Sequence, residues 1–361
     1  MKEKNRNHEQ QHMFTNRMIS SLLIPVVMEQ LLNSIMGTAD TMMVSNIGSA
    51  AISAVSLVDS INILVIQAFS ALAAGDAIVC AQYIGQKNKE RANESARQVL
   101  FIITMISVIV SAICLVFQKP LLRLIFGSVE EAVMTASETY FFYTALSFPF
   151  IAMYDSAASI FRAQDNTRGP MVISMISNVM NIVGNAILIW VFHMGVAGAA
   201  IGTLIARIFE FSVIDGFLWF REKSIEFRLK NFFMPVGELW GEYIRISIPV
   251  LISDGILALG NSSVAMVVGR LGKSFVAANA VTAVTQQLSS VLIQGVSQAG
   301  AIITGHTLGE GDREKAQEQG YALLGLGFLF GLVSSVIIMI ISGPVIHAYH
   351  LSEETSKLAE E

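Results

Sequence analysis

Four residues have the types and spacing to hold a proton or a hard cation: Asp40, Asn181, Asn185 and Thr203. Each falls inside an apolar run. At a rise of 1.5 Å per residue, Asp40 lies about 9 Å inward from Asn46. Asn185 lies about 12 Å inward from His193, and Thr203 about 12 Å inward from Gly195. A carboxylate, amides and a hydroxyl therefore sit at similar depth on three helices. Hard cations take oxygen ligands of this kind, and a buried carboxylate equally carries a proton. Ser174, Asn178, Asn181 and Asn185 follow spacings of 4, 3 and 4, which places one polar stripe on one helix face. Hydrogen bonding between helices is the plainer reading of Ser174 and Asn178.

Other polar residues in apolar runs are candidates by the same reasoning, because burying them in lipid is costly. Asp254 follows Pro249 by five residues. Glu29 and Gln30 sit near the corresponding height of the first run, and Asp155 faces a central cavity or bonds a neighbouring serine. These four are candidate coupling or substrate contacts. Arg207 and Glu210 are three apart and are expected to form a mutual ion pair. Asp59 and Asp76 are weaker candidates. Pro25, Pro149 and Pro249 interrupt helices, as bending points or static kinks. His8-Glu9-Gln10-Gln11-His12 fits a zinc-protease pattern, but it lies in a polar tail with no obvious third ligand. No metal site, cofactor or catalytic residue is expected beyond H⁺ or Na⁺ as coupling ion.

The elements that position these residues follow from composition. The 361 residues are 53% hydrophobic and 14% charged, with mean hydropathy +0.59, whereas a soluble domain carries about 25% charged residues. The apolar blocks match the roughly 20 residues needed to cross a bilayer. A soluble enzyme, a disulfide scaffold and a disordered chain are excluded. The fold class is an all-α polytopic membrane bundle, because open strand edges cannot sit in lipid. Nine spans are expected, at about 18–44, 54–82, 98–117, 138–160, 170–192, 196–220, 244–268, 276–304 and 318–342. Residues 1–17 form a polar tail, 18–220 a six-helix lobe, 221–243 an amphipathic linker and 244–361 a partial second lobe of three helices. Cys80 and Cys114 read as small packing residues. Seventeen of the 23 Lys and Arg fall on the side of the N-terminus and five on the other, with Arg207 inside a span. That asymmetry places the N-terminus in the cytoplasm.

The chain also matches itself at an offset of 224. Ile24-Pro25-Val26 falls on Ile248-Pro249-Val250, Gly48 on Gly272, and Ala77-Ile78 on Ala301-Ile302. Gly85 falls on Gly309, Glu90 on Glu314, Ala92 on Ala316 and Pro120 on Pro344. Six spans separate equivalent points, so the copies share one orientation, as in transporters built from parallel repeats. The second copy is expected to continue for three more helices, to twelve in all.

The motifs resemble the multidrug and toxic compound extrusion (MATE) transporters. They are Ala39-Asp40-Thr41-Met42-Met43-Val44, then Ile47-Gly48 and the alanine-rich run from Ala51, and Gln82-Tyr83-Ile84-Gly85. Further on come Arg162-Ala163-Gln164-Asp165 with Thr167-Arg168 and Pro170-Met171, and Gly195-Val196-Ala197-Gly198 with Thr203. The resemblance implies a multi-pass antiporter of the cell membrane. It would export organic, often cationic, compounds against H⁺ or Na⁺ entry, with lipid and a small organic solute as partners, no nucleic acid, and a monomeric full-length form. In relatives with a cation site in the first lobe, that site uses an Asp on helix one, an Asn and an Asp on helix five and a Thr on helix six. Asp40, Asn181 and Thr203 match; Asn185 stands where the second Asp would be, which favours a proton over Na⁺. Two other readings are a lipid-linked oligosaccharide flippase of the wider superfamily and a non-transporting fragment.

Overall fold

The computed structural model describes residues 16–126, 130–220, 237–271 and 273–348. Among them are ten α-helices: α1 (Asn16–Ser45), α2 (Ser49–Gly85), α3 (Lys89–Val116), α4 (Gln118–Phe126), α5 (Glu131–Ala163), α6 (Arg168–Ala186), α7 (Gly195–Phe220), α8 (Gly237–Leu271), α9 (Lys273–Gly309) and α10 (Arg313–Ala348). Nine are long and coincide with the nine expected spans. The tenth, α4, is a nine-residue amphipathic piece that buries Leu122 and leaves Leu124 exposed. A π-helical turn, Ile187–Val191, extends α6. Residues 221–236 of the expected linker lie outside the described residues, while Gly237–Tyr243 already belong to α8. His8 and His12 also lie outside them.

Six helices are long and apolar enough to cross a membrane by their own composition: Ala50–Gly85, Lys89–Val116, Arg168–Val191, Gly195–Phe220, Tyr243–Asn261 and Arg313–Ile340. The other long helices, α1, α5 and α9, all contribute side chains to an internal cavity. Helix α6 shows the logic of the bundle. Ser174, Ser177, Asn178, Asn181 and Asn185 are buried, while Val172, Met175, Ile176, Val179 and Val183 are exposed. Polar groups face inward and apolar ones outward, as a lipid-embedded helix requires. Phe69 of α2 meets Phe148 of α5 edge-on, with ring centroids 6.3 Å apart, within the largest apolar core. Cys80 and Cys114 are buried free thiols. Pro25, Pro149 and Pro249 each lie within a continuous helix.

The 224-residue offset is visible in backbone geometry. After α2 the chain turns with Gln86 N–H donating to Gln82 O at 3.0 Å and Asn88 N–H to Tyr83 O at 3.0 Å. After α9, Glu310 N–H donates to His306 O at 2.9 Å and Asp312 N–H to Thr307 O at 3.3 Å. The next helices begin alike: Asn88 accepts from Arg91 N–H at 3.1 Å and Asp312 from Lys315 N–H at 3.0 Å. Both are N-caps, each satisfying an otherwise orphaned donor. The left-handed residue of the turn is Lys87 in one copy (φ 58°) and Gly311 in the other (φ 89°).

Helices α2 and α9 cross at these same ends. A Cβ on Gly85 would overlap the His306 carbonyl oxygen, and a Cβ on Gly309 would overlap the Gln82 carbonyl oxygen. Residues 85 and 309 are equivalent by the offset, and so are 82 and 306, so the contact is reciprocal. His306 Nε2 also lies 2.7 Å from Ala163 O at the end of α5. Further along, α9 rests at Gly295 on Leu23 and Val27 of α1.

Candidate ion and substrate site

Helices α1, α6 and α7 bring the four leading candidates into one hydrogen-bonded chain. The Asn185 amide donates to Asp40 Oδ1 at 2.8 Å and to Asn181 Oδ1 at 3.1 Å. Asn181 Nδ2 donates to Thr203 Oγ1 at 3.2 Å, and Thr203 Oγ1 donates to Ala199 O at 3.0 Å. Asn181 and Asn185 are buried, and Asp40 and Thr203 half-buried. The amides sit four residues apart, one above the other on α6. Gly202 makes room for them: a Cβ there would overlap Asn185 Oδ1. That oxygen is buried without a hydrogen-bond partner, an acceptor available to a proton or cation.

Beside this chain lies a cavity of about 370 Å³ enclosed by α1, α2, α5, α6, α7 and α9. Asn181 and Thr203 line it, so the two sites share a wall. Glu29, Gln30 and Asp155 also line it, as their positions suggested. Asp155 Oδ2 accepts from Ser70 Oγ at 2.7 Å. Glu29 Oε1 accepts from Arg162 at 2.8 Å and from the Tyr154 hydroxyl at 3.1 Å. Asn33 Oδ1 accepts from Asn178 at 3.0 Å and Ser174 at 3.2 Å, so these two residues do tie α6 to α1.

Two placements differ from expectation. Arg162 was counted among loop charges, yet α5 continues to Ala163 and Arg162 is a cavity residue bound to Glu29; without it the asymmetry of flanking charge keeps its sign. Its sequence signal is its position two turns after Asp155 on the same helix. Arg207 and Glu210 form no direct ion pair among the described residues. Arg207 donates instead to the Ser147 hydroxyl of α5, a better-placed partner on a neighbouring helix. Asp254 is exposed on α8 and is not among the residues lining the cavity. One further acid comes close: Asp59 of α2 accepts from Asn62 Nδ2 at 3.1 Å.

The MatE family profile matches residues 25–187 and 249–361, more than half of the chain. The chain belongs to the MatE family. MatE proteins are multi-pass membrane transporters, not enzymes. The chain is 24% identical over 352 residues to the probable multidrug resistance protein YoeA of Bacillus subtilis, covering 95% of this chain and 75% of that one. It is 30% identical over 193 residues to the uncharacterized transporter YisQ of the same organism, covering 52% and 42%. Among solved structures it is similar to a MOP-superfamily transporter from Pyrococcus furiosus, with TM-score 0.86, 23% identity and coverage of 95% and 76%. It is equally similar, at TM-score 0.86, 23% identity and the same coverage, to an outward-facing multidrug resistance MATE transporter. These likenesses show the shared fold of MatE transporters.

Proposed function

We propose that this MatE transporter is a proton-coupled antiporter that exports amphipathic organic cations from the cytoplasm, with Asp40 as the group that takes the proton. The carrying observation is the hydrogen bond from Asn185 to Asp40. The group bonded to Asp40 is a neutral amide and not a second carboxylate, which weakens the case for Na⁺ held between two acids there. A carboxylate inside a span, with amides and a hydroxyl around it, is a functional group by default. Its chain of partners reaches the cavity wall at Asn181 and Thr203, which puts the ion and the solute within reach of one another.

The cavity chemistry supports a cationic solute. Asp155 and Glu210 line it with no ion-pair partner among the described residues, alongside Met36, Ile66, Ile151 and Ile302. A pyrophosphate-bearing lipid would want several free guanidinium groups; of the two at the cavity, Arg162 is bound to Glu29 and Arg207 shares the wall with Asp155 and Glu210. The experiment is export of a dye cation from proteoliposomes driven by a pH gradient or a Na⁺ gradient alone. Asp40→Asn keeps the volume and should abolish proton-driven export while the protein still folds and inserts. Unchanged export by that variant would remove Asp40 from coupling, leaving Asp254 or another acid.

A further inference from the structure

Arg207 sits among acids on two sides. One turn before it on α7, Thr203 ends the hydrogen-bonded chain that holds Asp40 of α1, and Asp59 of α2 is the acid that acts on Asp40; one turn after it is Glu210 of its own helix, which shares the cavity wall with Asp155 of α5. None of these carboxylates forms an ion pair with the guanidinium among the described residues. Its direct hydrogen bond is to the neutral Ser147 hydroxyl. The remaining charges nearby, Glu29 of α1 and Arg162 of α5, neutralise each other; α6 brings only amides and hydroxyls to the cavity. One cation on a long side chain is thus shared by two sets of acids, and it lines the cavity itself.

We propose that Arg207 is a tethered competitor of the transported cation. When Asp40 is charged, Arg207 is drawn toward Asp40 and Asp59, and Asp155 and Glu210 are free to receive a cationic solute. When Asp40 takes a proton or Na⁺, the pull on that side falls. Arg207 then turns to Asp155 and Glu210 and displaces the solute. Ion and solute exclude one another without sharing a ligand, and the exclusion is reciprocal, as binding linkage demands. A guanidinium suits the role because it stays charged at any accessible pH. The proposal rests on the cation-export reading above and supplies its coupling step.

The test is equilibrium binding of tetraphenylphosphonium to the purified full chain at acid and alkaline pH. In the native protein, acid should weaken binding about tenfold or more. In Arg207→Gln this dependence should become much shallower, leaving only what Asp155 and Glu210 contribute by taking protons themselves. Arg207→Lys should keep the dependence, which shows that charge rather than packing is at work. Asp40→Asn, mimicking the protonated state, should weaken binding at alkaline pH in the native background and have no effect in the Arg207→Gln background, so the two changes are strongly non-additive. Additive effects, or a full pH dependence retained by Arg207→Gln, would overturn the role of Arg207 while leaving export intact. No binding by the native protein at either pH would overturn the cation reading and this proposal with it.

Discussion

The Asn185 amide spans 2.8 Å from α6 to the Asp40 carboxylate of α1, where a second carboxylate would face Asp40 directly. Two carboxylates in one site share a proton or take a cation between them. Asn185→Asp should therefore shift coupling toward Na⁺: dye export should become stimulated by a Na⁺ gradient and less responsive to a pH gradient. Export that remains driven by pH alone, with no response to Na⁺, would argue that Asp40 is not the ion-binding group.

Gly202 predicts an effect at a distance from any charge. Its missing side chain is the space that Asn185 Oδ1 occupies. Gly202→Ala should push Asn185 away from Asp40 and cost about 1–3 kcal/mol through overpacking. Coupling should fail while dye binding in the cavity persists. Thermal unfolding and binding measured side by side would check this; a fully coupled, equally stable variant would show that α7 can move aside.

The Glu29–Arg162 pair has side chains 4% and 13% exposed. Removing one partner of a buried pair strands the other, at a cost of roughly 3–5 kcal/mol. Glu29→Gln should destabilise the protein by about that much. The joint change Glu29→Gln with Arg162→Met should recover most of it, since no charge is then left unpaired. Unfolding in detergent would measure both. Equal loss in the single and double variants would mean that the pair matters through packing instead.

The charge asymmetry predicts topology. Cysteines placed at Lys87 and at Lys273 should label from opposite faces of the membrane, with Lys87 on the cytoplasmic side. Labelling of both from one side would remove the assigned orientation.

Why some of this was legible in the sequence is physical. Asp40, Asn181, Asn185 and Thr203 stand out because an apolar span makes any polar side chain conspicuous, and helix rise alone gives their depth. Glu29, Gln30 and Asp155 are visible for the same reason. Arg162 is not, because hydropathy ends a span where charge begins, although hydrogen bonding carries α5 on to Ala163. The spacing of Arg207 and Glu210 permits a pair on one helix, but spacing is blind to Ser147 on the helix opposite. The short α4 is missed because nine residues hold too little periodicity to register.

The reciprocal crossing of Gly85 and Gly309 has a mechanical consequence. At the crossing itself backbone lies on backbone, and neither glycine brings anything that titrates, binds a cation or admits a solute. The two helices meet at these glycines with no side chain between them, while the His306 ring beside them ties α9 to the Ala163 carbonyl of α5. A force that parted them would have to arrive through the frame. Helix α1 is the member suited to deliver it, since it carries Asp40 at one level and presses Leu23 and Val27 against Gly295 of α9 at another. A glycine-on-backbone contact discriminates among no solutes, which is the property that a carrier of unlike solutes would need.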